Sequence, residues 1–156
     1  MLKIVKIRGS YVNGEVCSHC LSEVLIMMLK KCIACGMRCM SICIAVVIFL
    51  LSAQSKLPIP ETVSFPGLDK FLHACAFGSF AFTLSYWFST DKWLGKPLKY
   101  CTIVCCIVAC YGISDEIHQI FVPGRDASIY DWFADCTGAV LAVFVRLGMV
   151  KFCVKT

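Results

Sequence analysis

Residues 111–138 read YGISDEIHQIFVPGRDASIYDWFADCTG. Asp115, Glu116, His118 and Gln119 close an apolar run that begins at Tyr100. A Pro-Gly pair follows, then Arg125, Asp126, Asp131 and Asp135, before apolar sequence resumes. Ionisable side chains are costly in lipid, so a cluster of them at the end of an apolar run reads by default as a functional site facing a bundle interior or a wet cavity. The rest of the chain reads as the scaffold for that cluster.

The 156 residues are 59% hydrophobic and 16% charged, with a mean hydropathy of +0.79. A soluble domain of this length could not bury that much apolar surface, which makes the chain an integral membrane protein. Three apolar spans stand out: Cys39–Ser55 without a charge, Phe71–Thr90 interrupted only by His73, and Tyr100–Val122 running through the polar cluster. A fourth, Trp132–Val150, would reach about 28 Å as a helix, close to the roughly 30 Å apolar core of a bilayer. Asp135 and Arg146 interrupt it; the acid is expected to face inward and the arginine to snorkel to the interface. The expected fold is all-α, a polytopic bundle of four transmembrane helices over residues 37–152. Residues 1–36 form a separate N-terminal segment, cytoplasmic and amphipathic or disordered.

Charge distribution orients these spans. With the amino terminus inside, twelve of the fifteen Lys and Arg fall on inner segments and only Lys56, Lys70 and Arg125 on outer loops. Setting aside Lys3, Lys6 and Arg8 leaves nine against three. This is the positive-inside pattern, so both termini are expected in the cytoplasm and the polar cluster on the outer face. The net charge of +5 therefore belongs to topology, and a nucleic-acid partner is not expected.

Most of the thirteen cysteines lie in the spans, where buried reduced thiols serve as small, weakly polar filler. Cys17, Cys20, Cys32 and Cys35 have the paired spacing of a zinc site, but Cys32 abuts the first span and the spacing is the sole warrant. Lys30 and Lys31 before an apolar run imitate a signal peptide. No small-x-small cleavage site follows, so residues 37–54 are expected to be retained as a helix.

Residues 55–68 hold three of the five prolines and form the first outer loop. Asp69 is placed to cap the second span, and His73 shares its helix face four residues on. In the third span His118, Asp115, Gln119, Gly112 and Glu116 fall within an arc of about 160°. Gly112 lets a neighbouring helix approach that face. Pro123-Gly124 fits the centre of a tight turn, and Ser128 with Asp131 suits a helix start. Asp131, Asp135, Gly138 and Ala142 then make one stripe of the fourth span, acidic above and small below, suited to packing on the third.

Four motifs together resemble the VanZ-like family of small bacterial membrane proteins, over roughly residues 40–145. They are SAQS at 52–55, DKFLH at 69–73, DEIHQ at 115–119 with the Pro-Gly-Arg turn after it, and an acid ahead of the glycine-containing fourth span. The resemblance implies an accessory role in resistance to teicoplanin and related lipoglycopeptides. Asp135 departs from the family pattern, which commonly shows Asn there, and adds a carboxylate to the site.

Three functions fit the residues. The first is an outward-facing envelope protein, with the bilayer around it, whose pocket binds or alters an amphiphilic or lipid-linked envelope component. The second is membrane catalysis, with His73, Asp115, Glu116 and His118 as candidate acid–base groups. Water activated by a carboxylate and water activated by a metal both fit these residue types. The third is proton-coupled transport. Asp69, Lys70, Gln119, Arg125, Asp131 and Asp135 are the candidate binding residues. His73, Asp115, Glu116, His118, Gln119, Arg125 and Asp131 are expected to converge on one cavity, with Arg125 paired to a carboxylate of Asp115, Asp126 or Asp131.

Overall fold

The computed structural model describes residues 18–55 and 65–155. The leader at 1–17, Cys17 of the paired cysteines, and most of the proline-rich outer loop lie outside the described residues. The chain divides into two units at Gly36, residues 1–36 and 37–156. The described part is helical: α1 Ser18–Ser52, α2 Leu68–Leu84, α3 Thr90–Gly95, α4 Pro97–Gln119 and α5 Ile129–Lys155, with a 3₁₀ turn at Ser85–Trp87 after α2.

Among the described residues three helices are long and apolar enough to cross a membrane: Leu21–Ser52 within α1, Pro97–Gln119 and Ile129–Val154. The fourth, α2, has 17 residues and would rise about 25 Å, short of a full apolar core. It ends six residues before the expected Thr90 because the backbone tightens into the 3₁₀ turn. α1 begins well ahead of the expected residue 37, since nothing between Ser18 and Met37 breaks a helix.

Local chemistry fixes the other ends. Gly67, at φ 83°, is the residue that precedes α2; Asp69 makes no capping bond and lies within the first turn instead. Only glycine adopts that backbone conformation without strain. Pro97 opens α4, where its missing N–H is no loss. Between α4 and α5 the Arg125 N–H donates to the Val122 carbonyl, 3.1 Å, closing a turn with Pro123 and Gly124 at its centre and Gly124 at φ 81°. The expected inner hairpin holds α3, whose Trp93 is fully buried and donates its indole N–H to the Ser85 carbonyl at 3.1 Å.

The core is Phe77, Phe80 and Ala81 of α2, Val104 and Val108 of α4, Ala139 and Val143 of α5, and Trp93. α5 packs most extensively on α2 and next on α4. The closest approach is backbone on backbone. A Cβ added at Gly78 would meet the Gly138 carbonyl oxygen at 3.1 Å, and one at Gly138 would run into the Ala74 carbonyl. The small part of the α5 stripe thus packs on the second helix, where the sequence suggested the third. Small residues permit this contact, on which helix association in lipid relies.

α1 is held differently, by side chains that bridge a wider gap. Tyr111 donates its hydroxyl to the Ala45 carbonyl at 2.6 Å, Trp87 its indole N–H to Ser41 Oγ at 3.0 Å, and Arg38 its Nε–H to the Tyr86 carbonyl at 3.0 Å. Arg146 does not snorkel. It is buried in α5 with its guanidinium 3.9 Å from the centre of the Tyr86 ring, a cation–π contact the 3₁₀ turn makes available. The cysteines from Cys32 onward are free thiols, but none is buried: Cys101, Cys105 and Cys136 are intermediate and the others exposed, Cys32 and Cys35 among them. They share the outer surface with large apolar side chains such as Phe144, Leu141 and Ile117, a surface suited to lipid.

Gly138 should therefore tolerate no side chain. Gly138→Val is expected to lower the thermal midpoint in detergent by the equivalent of at least about 1–3 kcal/mol. Gly148→Ala, inside the same helix but where a Cβ meets nothing within 4 Å, should cost nothing and stabilise by up to about 1 kcal/mol through helix propensity.

Candidate functional site

The α2–α5 contact places His73, one turn into α2, beside Asp135 of α5. His73 Nδ1 and Asp135 Oδ1 are 3.0 Å apart, and Asp135 is wholly buried. Asp135 Oδ2 points toward α4, where a Cβ at Gly112 would lie 3.0 Å from it. Gly112 thus admits the carboxylate between the two helices. One turn further along α4, Glu116 is buried and its Oε2 accepts the Ser128 backbone N–H at 2.7 Å. Ser128 is where the chain turns into α5, its carbonyl accepting the Asp131 and Trp132 N–H groups, so Glu116 holds the start of that helix. Trp132 steadies the same junction by donating to the Ala109 carbonyl at 3.0 Å.

One ligand-type atom from each of His73, Glu116 and Asp135 lies within 4.8 Å of the other two. Among the described residues this is the one group of three His, Cys, Asp or Glu spaced for a metal ion. Two carboxylate oxygens of this group, Glu116 Oε1 and Asp135 Oδ2, are buried with no hydrogen-bond partner.

Beside the group lies a cavity of about 320 Å³, lined by His73, Asp115, Gln119 and Arg125 on its polar side and by Ile48, Leu51, Leu72, Ala76 and Phe77 on its apolar side, with Ser52. Asp115 and Gln119 are both buried, and Gln119 Nε2 donates to Asp115 Oδ2 at 3.0 Å. A smaller apolar pocket of about 280 Å³, bordered by Ile117, Ile129 and Trp132, meets the other side of Glu116.

Asp131 is buried at the rim. Lys70 Nζ approaches its Oδ1 to 3.2 Å, close enough for an ion pair although off the line of a hydrogen bond, and bonds Asp69 Oδ2 at 2.7 Å. The hydrogen bond to Lys70 holds the Asp69 carboxyl below its usual range, and Asp69 in turn raises the lysine.

The candidate residues therefore divide. His73, Asp115, Gln119 and Arg125 share the cavity wall, Glu116 and Asp135 meet His73 behind it, and Lys70 links Asp69 to Asp131. His118 stands apart, its ring stacked 4.6 Å from Phe49 of α1 and its Nε2 buried without a partner. Arg125 pairs with none of the expected carboxylates. Its Nε–H donates to the Gln54 carbonyl at 3.0 Å and an Nη2–H to the Leu51 carbonyl at 3.3 Å, so it caps the C-terminus of α1. Asp126 is exposed. Sequence reasoning missed the Ser128 and Trp132 contacts; an indole beside an acidic cluster is the only signal that pointed to the second.

This architecture is that of a small helical membrane protein with carboxylates and a histidine packed between its helices. The chain belongs to the VanZ/LLP1 family, whose model matches residues 37–150. No curated protein and no solved structure matches the chain.

The His73–Asp135 contact should be measurable as a coupling. Alanine at either position should cost about 1–3 kcal/mol by stranding the buried partner. The double variant should cost less than the sum of the two, since neither group is then left unpaired. Additive losses in detergent unfolding would show that the contact contributes nothing.

Proposed function

We propose that the chain is a cell-envelope membrane protein whose cavity binds, or alters, an amphiphilic or lipid-linked envelope component. The cavity itself carries this reading. It has one apolar wall and one polar wall, within the volume range of small-molecule sites. An acyl or polyprenyl chain would lie along Leu51, Leu72 and Phe77 while a polar head meets Asp115, Gln119 and His73. α2 serves as the fourth span, short because its lipid-facing length ends at the 3₁₀ turn, and the cavity faces outward with both termini in the cytoplasm. Family membership adds the expectation that the drug affected is a lipoglycopeptide, because its lipid tail brings it to the membrane surface.

A second reading is favoured by one observation. The 3.0 Å contact of His73 Nδ1 with Asp135 is the geometry of an oriented imidazole, which suits a membrane-embedded hydrolase or transferase that activates water.

Expression in a susceptible Gram-positive host should raise tolerance to teicoplanin more than to vancomycin, and Gln119→Ala should abolish the difference. Equal, absent or reversed effects would remove the lipoglycopeptide reading. Orientation has its own check. In a cysteine-free variant, single cysteines at 60 and 126 should react with an impermeant reagent from outside, and those at 95 and 155 only from inside. Outside labelling at 95 would overturn the topology.

A further inference from the structure

We infer that His73, Glu116 and Asp135 bind a divalent first-row metal ion between α2, α4 and α5. Four carboxylates are buried near one another here, with Asp135 at 0%, Asp115 at 4%, Asp131 at 8% and Glu116 at 9% exposure. Buried carboxylates call for partners of opposite charge. Lys70 reaches only Asp131 among them and is shared with Asp69. Arg125 spends its guanidinium on backbone carbonyls. Asp115 is satisfied by the Gln119 amide, which brings no charge. Among the described residues the remaining cationic partner of this group is His73, whose contact within 4 Å is with Asp135 of the four carboxylates.

The way the two acids of the triad are held points to the same end. Each has one oxygen already engaged: Glu116 Oε2 accepts the Ser128 N–H, and Asp135 Oδ1 lies 3.0 Å from His73 Nδ1, a hydrogen bond that gives way when that nitrogen takes the ion. The other oxygen of each is buried and unpartnered. Carboxylates oriented through one oxygen with the second left open are arranged as metal ligands supported from behind. Donors at about 2.0–2.2 Å from one ion lie about 3–3.5 Å apart at tetrahedral or right angles, so a triad whose atoms lie within 4.8 Å of one another closes on an ion by side-chain movements of at most about 1–2 Å. One imidazole with two carboxylates is a nitrogen–oxygen donor set that takes a divalent ion such as manganese or zinc and does not suit an iron–sulfur centre. The exposed thiols are a separate matter, since thiolates select softer ions.

Mn²⁺ is the probe, because cysteines compete for it least. Full-length protein, purified in detergent and stripped with a chelator, is titrated with Mn²⁺ and the bound ion read by electron paramagnetic resonance. Wild type should hold about one ion per chain. Glu116→Gln and Asp135→Asn keep the bonds to Ser128 and His73 and so preserve folding, which circular dichroism checks. Both should bind at least about tenfold more weakly. His118→Ala, outside the triad, should bind as wild type does. No bound Mn²⁺ in folded wild type, or undiminished binding in the Gln and Asn variants, or equal loss in His118→Ala, would overturn the site. A chain that holds Mn²⁺ without changing teicoplanin tolerance upholds it and removes only the drug reading.

Discussion

The contact between Gly138 of α5 and Ala74 and Gly78 of α2 sets the position of everything chemical in this protein. In lipid, apolar side chains gain little by leaving the bilayer for one another, so helices associate through close packing and hydrogen bonds. Backbones that touch hold their side chains in fixed register, and here that register puts His73 opposite Asp135. A larger residue at 138 would lever the helices apart just below the one histidine–acid contact the site contains. Gly112 performs the same service on α4, where the space a side chain would fill is occupied by Asp135 Oδ2 and the Trp132 ring.

α1 obeys a different logic. Its backbone stands off, and it is tied to the other helices by Tyr111, Trp87, Arg38 and Arg125 reaching for its oxygen atoms or spanning from it. Arg125 in particular donates to the last carbonyls of α1, where helix geometry leaves acceptors unsatisfied and the dipole favours a cation. The stand-off is what leaves room for the cavity, whose walls are α1 on one side and α2 with α4 on the other.

Much of this could be read in the residues, because ionisable groups in apolar sequence have few places to go. The helices of all four expected spans, the Pro-Gly turn and the inward acid at 135 followed from hydropathy, turn chemistry and the cost of a charge in lipid, although the run at 71–90 that stood out holds the short helix and the interrupted fourth run a long one. What could not be read is which neighbour each position faces. The polar arc of α4 is wide enough to touch three helices: Asp115 and Gln119 face the cavity, Gly112 and Glu116 face α5, and His118 meets Phe49 of α1. Helical phase separates those faces only when the neighbours' positions are known. Arg125 was assigned a carboxylate because carboxylates are what a sequence displays; backbone carbonyls at a helix end have no letter of their own. Arg146 was sent to the interface for the same reason, its aromatic partner being supplied by a 3₁₀ turn that the apolar run concealed.

Burying this many acids is expensive, and the structure meets the cost in graded ways. Asp131 has an ammonium, Asp115 a neutral amide, Glu116 a backbone N–H at a helix start, and Asp135, which has no exposure, an imidazole. A protein needing these residues only for packing would gain by replacing them with apolar side chains of similar volume, since an incompletely paired buried charge destabilises. Their presence between helices whose contacts are otherwise made by small and apolar residues is what the proposed functional reading of the site rests on. Oxygens of Glu116 and Asp135 meet a nitrogen of His73 where three helices join, and of these three residues only His73 also reaches the cavity wall.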